Sequence, residues 1–286
     1  MSNPVFNSSQ VFGAPRGRRP QQTPMGVGTA GAMTADAATL ENLYAAPSAT
    51  SVDTGRLTYD DVIVKTAGLL AVLVVAAAAT WTFAPQLAIV GMVVGLVLGL
   101  VNAFKRNPSP ALIVAYAIAE GVFLGGISYF VNRATSGRPG PELAMDSVVL
   151  QALLATGATF VAALLLFKSG KVRVTPKSTR FFLIALGGYA MFSLVNLALM
   201  WFGGMDGWGL RSEVSVMGIP LGVIIGIFAV GLASYSLIMD FDAIKRGVEQ
   251  GAPAKMAWTA AFGLVVTLVW LYLEFLRILA ILRGNN

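Results

Sequence analysis

The chain contains no cysteine and no histidine. Without cysteine there is no disulfide, no thiol nucleophile and no thiolate metal site. Without histidine it lacks the commonest metal ligand and the one side chain that titrates near neutrality when unperturbed. Any physiological pH response must then come from carboxylates or other groups whose pKa values are displaced. Charge is scarce as well: 12% of residues are Asp, Glu, Lys or Arg, where a soluble domain carries about a quarter. With 56% hydrophobic residues and a mean hydropathy of +0.72, the composition points to an integral membrane protein whose first partner is the lipid bilayer. The net charge of +6 does not mark a nucleic-acid binder, because the bases lie in loops between apolar segments, where they set orientation.

An N-terminal apolar signal region is also lacking, so the first membrane helix is expected to act as the insertion signal. Residues 1–57 read as a flexible cytoplasmic tail, too poor in apolar residues to form a core. A short surface helix is expected from Thr34 to Ala45. Val5-Phe6 and Val11-Phe12 repeat faintly, either as a docking motif or as plain tail. Arg16, Arg18 and Arg19 either touch anionic lipid at the inner surface or only hold the tail in the cytoplasm. Residues 58–286 read as a transmembrane domain. Its start, Thr58 to Asp61, resembles a capping box with Asp in place of the usual Glu or Gln.

Seven stretches, 62–83, 86–104, 111–131, 147–167, 180–202, 215–239 and 257–282, are long enough to cross about 30 Å of hydrocarbon at about 1.5 Å per residue. The first two are joined around Pro85 and are expected to form a tight hairpin. Trp81, Phe83, Tyr129, Phe130, Trp201, Phe202 and Trp208 fall near one set of segment ends, as interfacial aromatics do. The N-terminal tail and alternate loops hold Arg16, Arg18, Arg19, Arg56, Lys105, Arg106, Lys168, Lys171, Arg173, Lys177, Arg180, Lys245, Arg246 and Lys255. The other side holds only Arg133, Arg138, Arg211 and Arg283. This bias places the N-terminus in the cytoplasm, and seven crossings then place the C-terminus outside. Gly91, Gly95 and Gly99, and likewise Gly218, Gly222 and Gly226, recur at a spacing that lets helices approach closely. They serve either packing within the chain or a moving or dimerising face. Pro220 either bends or starts the sixth helix.

A few charges lie inside these apolar segments, where an ionisable group is costly and marks a functional site by default. Glu120 falls near the middle of the third segment and is either a neutral, hydrogen-bonded acid or part of an ion path. Glu274 and Arg277, at i and i+3 on the last segment, are close enough to neutralise each other; a sharper reading lets Arg277 also reach Glu120 and seal the interior. Asp240 and Asp242, at the end of the sixth segment, point about 200° apart on a helix. Asp240 is the inward one, continuing a track of Ala233 and Ser236, and Asp242 is solvated beside Lys245 and Arg246.

At these residues the sequence resembles the Bax inhibitor-1 family of membrane proteins over roughly residues 58–283. The shared pieces are Glu120-Gly121 in the third helix, the Thr-x-x-x-Phe pattern at Thr156 to Phe160, Asp240 to Ile244 ending the sixth helix, and Leu276-Arg277-Ile278-Leu279. The resemblance implies an all-α fold of seven transmembrane helices with the C-terminal helix central. It also implies a pH-sensitive latch, in which an acid on the sixth helix and an acid on the seventh share a proton, and whose opening is linked to calcium leak. The sixth-helix acid maps onto Asp240. Aligning Leu271-Tyr272-Leu273-Glu274-Phe275 with the family's Leu-Tyr-Leu-Asp-Phe makes Glu274 the second acid. Aligning the terminal Leu-Arg-Ile-Leu instead makes Arg277 the family's buried arginine and puts Thr267 in the acid's place. Glu274 lies 17 residues into its segment, roughly 25 Å from the end that Asp240 occupies, so the second register is favoured, and Asp240 could then pair with Thr267 or with a base such as Lys105 or Arg106.

The functional expectation is a calcium-leak channel or ion pathway gated by buried carboxylates. Calcium would be cargo rather than a cofactor, and Asp240 the ligand if any metal is held. The alternative is a regulatory protein that binds another membrane protein, such as a protease, through its tail. Intramembrane aspartyl proteolysis needs two facing aspartates and only one can be placed, so no enzymatic activity is expected. The protein is expected as a multi-pass monomer in the plasma membrane of a prokaryotic cell.

Overall fold

The structure, a computed structural model, describes residues 55–105, 107–136, 147–204 and 208–284. The expected surface helix at Thr34–Ala45, the Val-Phe repeat and almost all of the tail lie outside them. Seven helices are long and apolar enough to cross a membrane. They are α1 (Tyr59–Phe83), α2 (Ala88–Phe104), α3 (Pro110–Ser136), α4 (Val148–Lys168), α5 (Pro176–Phe202), α6 (Leu221–Glu249) and α7 (Met256–Gly284). Helix starts follow local chemistry. The Thr58 hydroxyl accepts from the Asp61 amide at 3.1 Å and donates to the Asp61 carboxylate at 2.8 Å. Ser147 caps α4. A reciprocal Thr175–Ser178 box with Pro176 in the first turn caps α5, satisfying amides that have no partner inside the helix.

Between α5 and α6 lie a one-turn helix, Leu210–Glu213, and a two-stranded antiparallel ribbon, β1 (Ser215–Val216) and β2 (Ile219–Pro220), in the register Ser215 to Pro220. This corrects the sixth segment, expected from residue 215. Gly218 takes a positive φ of 83° in the ribbon turn, a conformation glycine adopts without penalty. Pro220 then caps α6, since its missing N–H costs nothing at a helix start. The helix continues to Glu249, so Asp240 and Asp242 sit within it rather than at its end.

The last helix is the hub. α7 packs on α1, α3, α4 and α6, and 67% of its spanning window is buried, against 17% for the window containing α2 and 11% for α5. The remaining order is set by glycine. A Cβ on Gly121 would fall 2.4 Å from the Leu73 carbonyl oxygen, and one on Gly125 would fall 2.2 Å from that of Ala77, so α1 lies backbone to backbone on α3. On the other side of α3, Gly91 and Gly95 of α2 receive its backbone at Ala119 and Phe123 and the side chain of Glu120, and Gly99 faces the Tyr116 ring. α1 and α2 are therefore joined by the short turn Pro85–Leu87 but each packs on α3 instead of forming a hairpin, because the glycines that permit close approach face α3. Gly222 and Gly226 of α6 receive Ile281 and Ile278 of α7. Gly91, Gly95, Gly99, Gly222 and Gly226 thus serve contacts within the chain, whereas Gly218 serves the ribbon turn.

α3 and α7 run parallel, since Tyr116 stacks edge-on against Phe262 and Ser128 bonds Tyr272 twelve and ten residues further along. α6 runs antiparallel to α7, pairing Gly222 with Ile281 and Asp240 with Thr267. Trp81 is buried and stacks on Tyr129 at 5.8 Å, and Trp208 packs partly buried against the Val223–Ile278–Ile281 cluster. These two aromatics point into the bundle rather than to an interface, because each finds an apolar partner there.

Candidate functional site at the helix seams

Asp240 is half-buried on α6 and faces α7. The buried Thr267 hydroxyl donates to its Oδ2 at 2.8 Å and also lies 3.1 Å from the Gly263 carbonyl of its own helix. Gly263, one turn earlier, leaves room for the carboxylate: a Cβ there would sit 3.7 Å from Asp240 Oδ1. Of the two sequence registers, Thr267 is the residue that meets Asp240. No Lys or Arg pairs with Asp240 among the described residues, and Arg106 lies outside them. Asp242 is on the other side of the helix, paired with Arg246 at 3.0 Å in the solvated last turns.

Glu274 belongs to a second seam, where α5 meets α7. It is 1% exposed. The Tyr189 hydroxyl and the Trp270 indole N–H, the latter at 3.2 Å, both donate to its Oε1, and Arg277 forms an ion pair with Oε2. Arg277 also donates to the Tyr189 oxygen at 3.4 Å. A second guanidinium completes the cluster. Arg211, on the one-turn helix, donates to Ser193 Oγ at 2.6 Å and to the Tyr189 oxygen at 3.5 Å, and it lies over the Tyr189 and Phe192 rings at 5.5 and 5.4 Å. Such stacking is attractive, the more so where the cation is desolvated. Arg211 was expected among the loop bases of the outer side but is 5% exposed. The turn before it, with Gly209 at φ 61° and the Trp208 carbonyl held by Asn196 at 3.2 Å, folds it back into the bundle. Tyr189, Ser193 and Trp270 were also missed from the sequence. The available signal was a tyrosine in mid-span, whose hydroxyl requires a partner when buried.

Glu120 forms the third polar position, at the α2–α3 seam. It is half-buried against Gly95, with Tyr116 one turn earlier as its polar neighbour. The expected bridge from Arg277 to Glu120 does not form. Glu120 lies eight residues before Ser128 and Arg277 five after Tyr272, on parallel helices joined by the 2.6 Å Ser128–Tyr272 bond. That places them about 20 Å apart along the bundle at about 1.5 Å per residue. The intramembrane charges therefore occupy separate seams around α3 and α7 rather than one shared chamber. No group of three His, Cys, Asp or Glu able to hold a metal occurs among the described residues. Asp240 and Thr267 supply few oxygens against the six to eight that calcium takes, so an ion passing there would keep most of its water.

Seven membrane-length helices, the last of them at the hub, with carboxylates held at the seams, define a multi-pass α-helical membrane protein. The chain belongs to the Bax inhibitor 1 like family, whose model matches residues 3–284. The match reaches well into the tail, beyond the span of residues 58–283 on which the resemblance was read. No curated protein gives a significant match.

Proposed function

We propose that the protein is a calcium-leak pathway gated where α6 meets α7, with Asp240 as the carboxylate that faces the passing ion. The observation that carries this reading is a carboxylate within a membrane helix whose neighbour on α7 is the Thr267 hydroxyl, not a base. A carboxylate without a counter-charge at that depth is costly and attracts a cation or a proton. The Tyr189–Glu274–Arg277–Arg211 cluster, with two guanidiniums to one carboxylate among the described residues, forms an electropositive barrier nearer the Gly284 end. In this reading Thr267 stands where the family latch has its second acid, so the gate is a hydroxyl–carboxylate bond rather than a proton shared by two acids.

Calcium entry into dye-loaded liposomes is expected to fall about tenfold in Asp240→Asn. It should rise in Thr267→Val, which frees the carboxylate. Unchanged flux in both Asp240→Asn and Glu120→Gln would remove the proposal. The proposed orientation, in the plasma membrane with the N-terminus cytoplasmic, has its own test, made simple by the absence of native cysteine. In intact cells a membrane-impermeant maleimide should label Met217→Cys in the exposed ribbon turn. It should label Ser169→Cys, after α4, only once the membrane is opened. The opposite pattern would invert the topology.

A further inference from the structure

α1 and α4 make no extended contact with each other, and between them lies a groove of about 570 Å³ floored by α3 and α7. Its walls include Leu70, Trp81, Leu153, Gly157, Leu268 and Tyr272. The hydroxyls that reach it are mostly spent elsewhere. Ser128 and Tyr272 bond each other at 2.6 Å, and Thr82 and Thr156 bond their own helix carbonyls at 2.8 and 2.7 Å. The groove therefore presents almost pure hydrocarbon. It follows α1 from Thr66 to Thr82, about 24 Å at about 1.5 Å per residue, within a hydrocarbon layer of about 30 Å.

We infer that this groove holds a single acyl chain of a bilayer phospholipid, entering sideways between α1 and α4. Its mouth opens between two membrane-length helices, where the surrounding medium is lipid tails. The lining argues against the main competitor. It carries no charged side chain that could fix a partner helix or a second copy in one register, whereas a lipid tail needs only hydrocarbon contact. A hydrocarbon chain does fit, and it restores the dispersion contacts that an unfilled groove forfeits. The chain would lie against Leu268 and Val269, directly after Thr267, so its presence would hold α7 in the register that meets Asp240. This placement stands whether or not ions pass.

Trp81 lines the groove yet is only 8% exposed, which makes it a reporter. In a variant with Trp201, Trp208, Trp258 and Trp270 changed to Phe, vesicles of phosphatidylcholine with dibrominated chains should quench Trp81 by at least half relative to unbrominated lipid. Gly157→Leu fills the groove from a position where a Cβ meets nothing within 4 Å, and should remove most of that quenching without changing the circular dichroism or Tm. Wild-type protein provides a second measurement that does not depend on how the Phe variant folds. A phospholipid bearing a mid-chain diazirine should crosslink to Gly157, Leu268 or Val269. Absent quenching in a folded reporter, equal quenching in Gly157→Leu, or crosslinks confined to outer faces such as α5 would overturn the inference. Quenching that appears only on dilution of the protein in the membrane would do so as well, by assigning the groove to a second copy. None of these readouts depends on calcium flux, so failure here is separable from failure of the proposed pathway.

Discussion

Glu274→Leu is expected to be the most destabilising single change within the bundle, at about 3–5 kcal/mol, the range for breaking a buried ion pair from one side. The reason is the composition of its cluster. Removing the carboxylate leaves Arg277 and Arg211 buried around the Tyr189 hydroxyl, two like charges with no anion among the described residues. Arg277→Met is expected to cost less, about 1–3 kcal/mol. Glu274 keeps the Tyr189 and Trp270 donors, and Arg211 still stands behind Tyr189. The double variant Glu274→Leu/Arg277→Met should recover part of the loss, because it replaces a charged pair by hydrophobic volume. Reversible unfolding in detergent or bicelles measures all three. An Arg277→Met loss larger than that of Glu274→Leu would mean that the cluster does not carry the excess positive charge described.

The second large effect is steric and lies at the α1–α3 seam. Gly125→Ala should cost about 3 kcal/mol or more, at the upper end for overpacking, because the new methyl would meet the Ala77 backbone at 2.2 Å and backbone cannot rotate away. The control has the opposite sign. Gly187 on α5 has nothing within 4 Å of its Cβ position, so Gly187→Ala should gain up to about 1 kcal/mol through helix propensity alone. Equal stabilities for the two variants would show that α1 and α3 are not in backbone contact.

The sequence carried the spans well, because length and apolar content are what a bilayer selects and both can be read residue by residue. Register matching and axial distance also brought Thr267 forward as one partner for Asp240, beside a base such as Lys105 or Arg106, and the structure has the hydroxyl. What it hid depended on which residues fold back. Arg211 reads as a loop base until the turn at Gly209 and the Asn196–Trp208 bond are known. Gly121 reads as half of the Glu120-Gly121 motif, though its main work, with Gly125 one turn on, is to admit α1. Charges also add no directional signal along a chain. Glu120 lies near the middle of its segment and Arg277 near the far end of its own, and the parallel run of α3 and α7 then separates them by about 20 Å.

The position of α7 at the centre has a further consequence for biogenesis. The other six helices leave the ribosome first, at about 5–20 residues per second, so on the order of 10 s separates the end of α3 from the start of the helix it must pack against. During that interval the acid on α6 and the hydroxyl of Tyr189 on α5 lack their α7 partners. The bundle must therefore assemble late, around a keystone that arrives after the arch, and the insertion machinery or a lipid-filled intermediate has to shelter those groups until then.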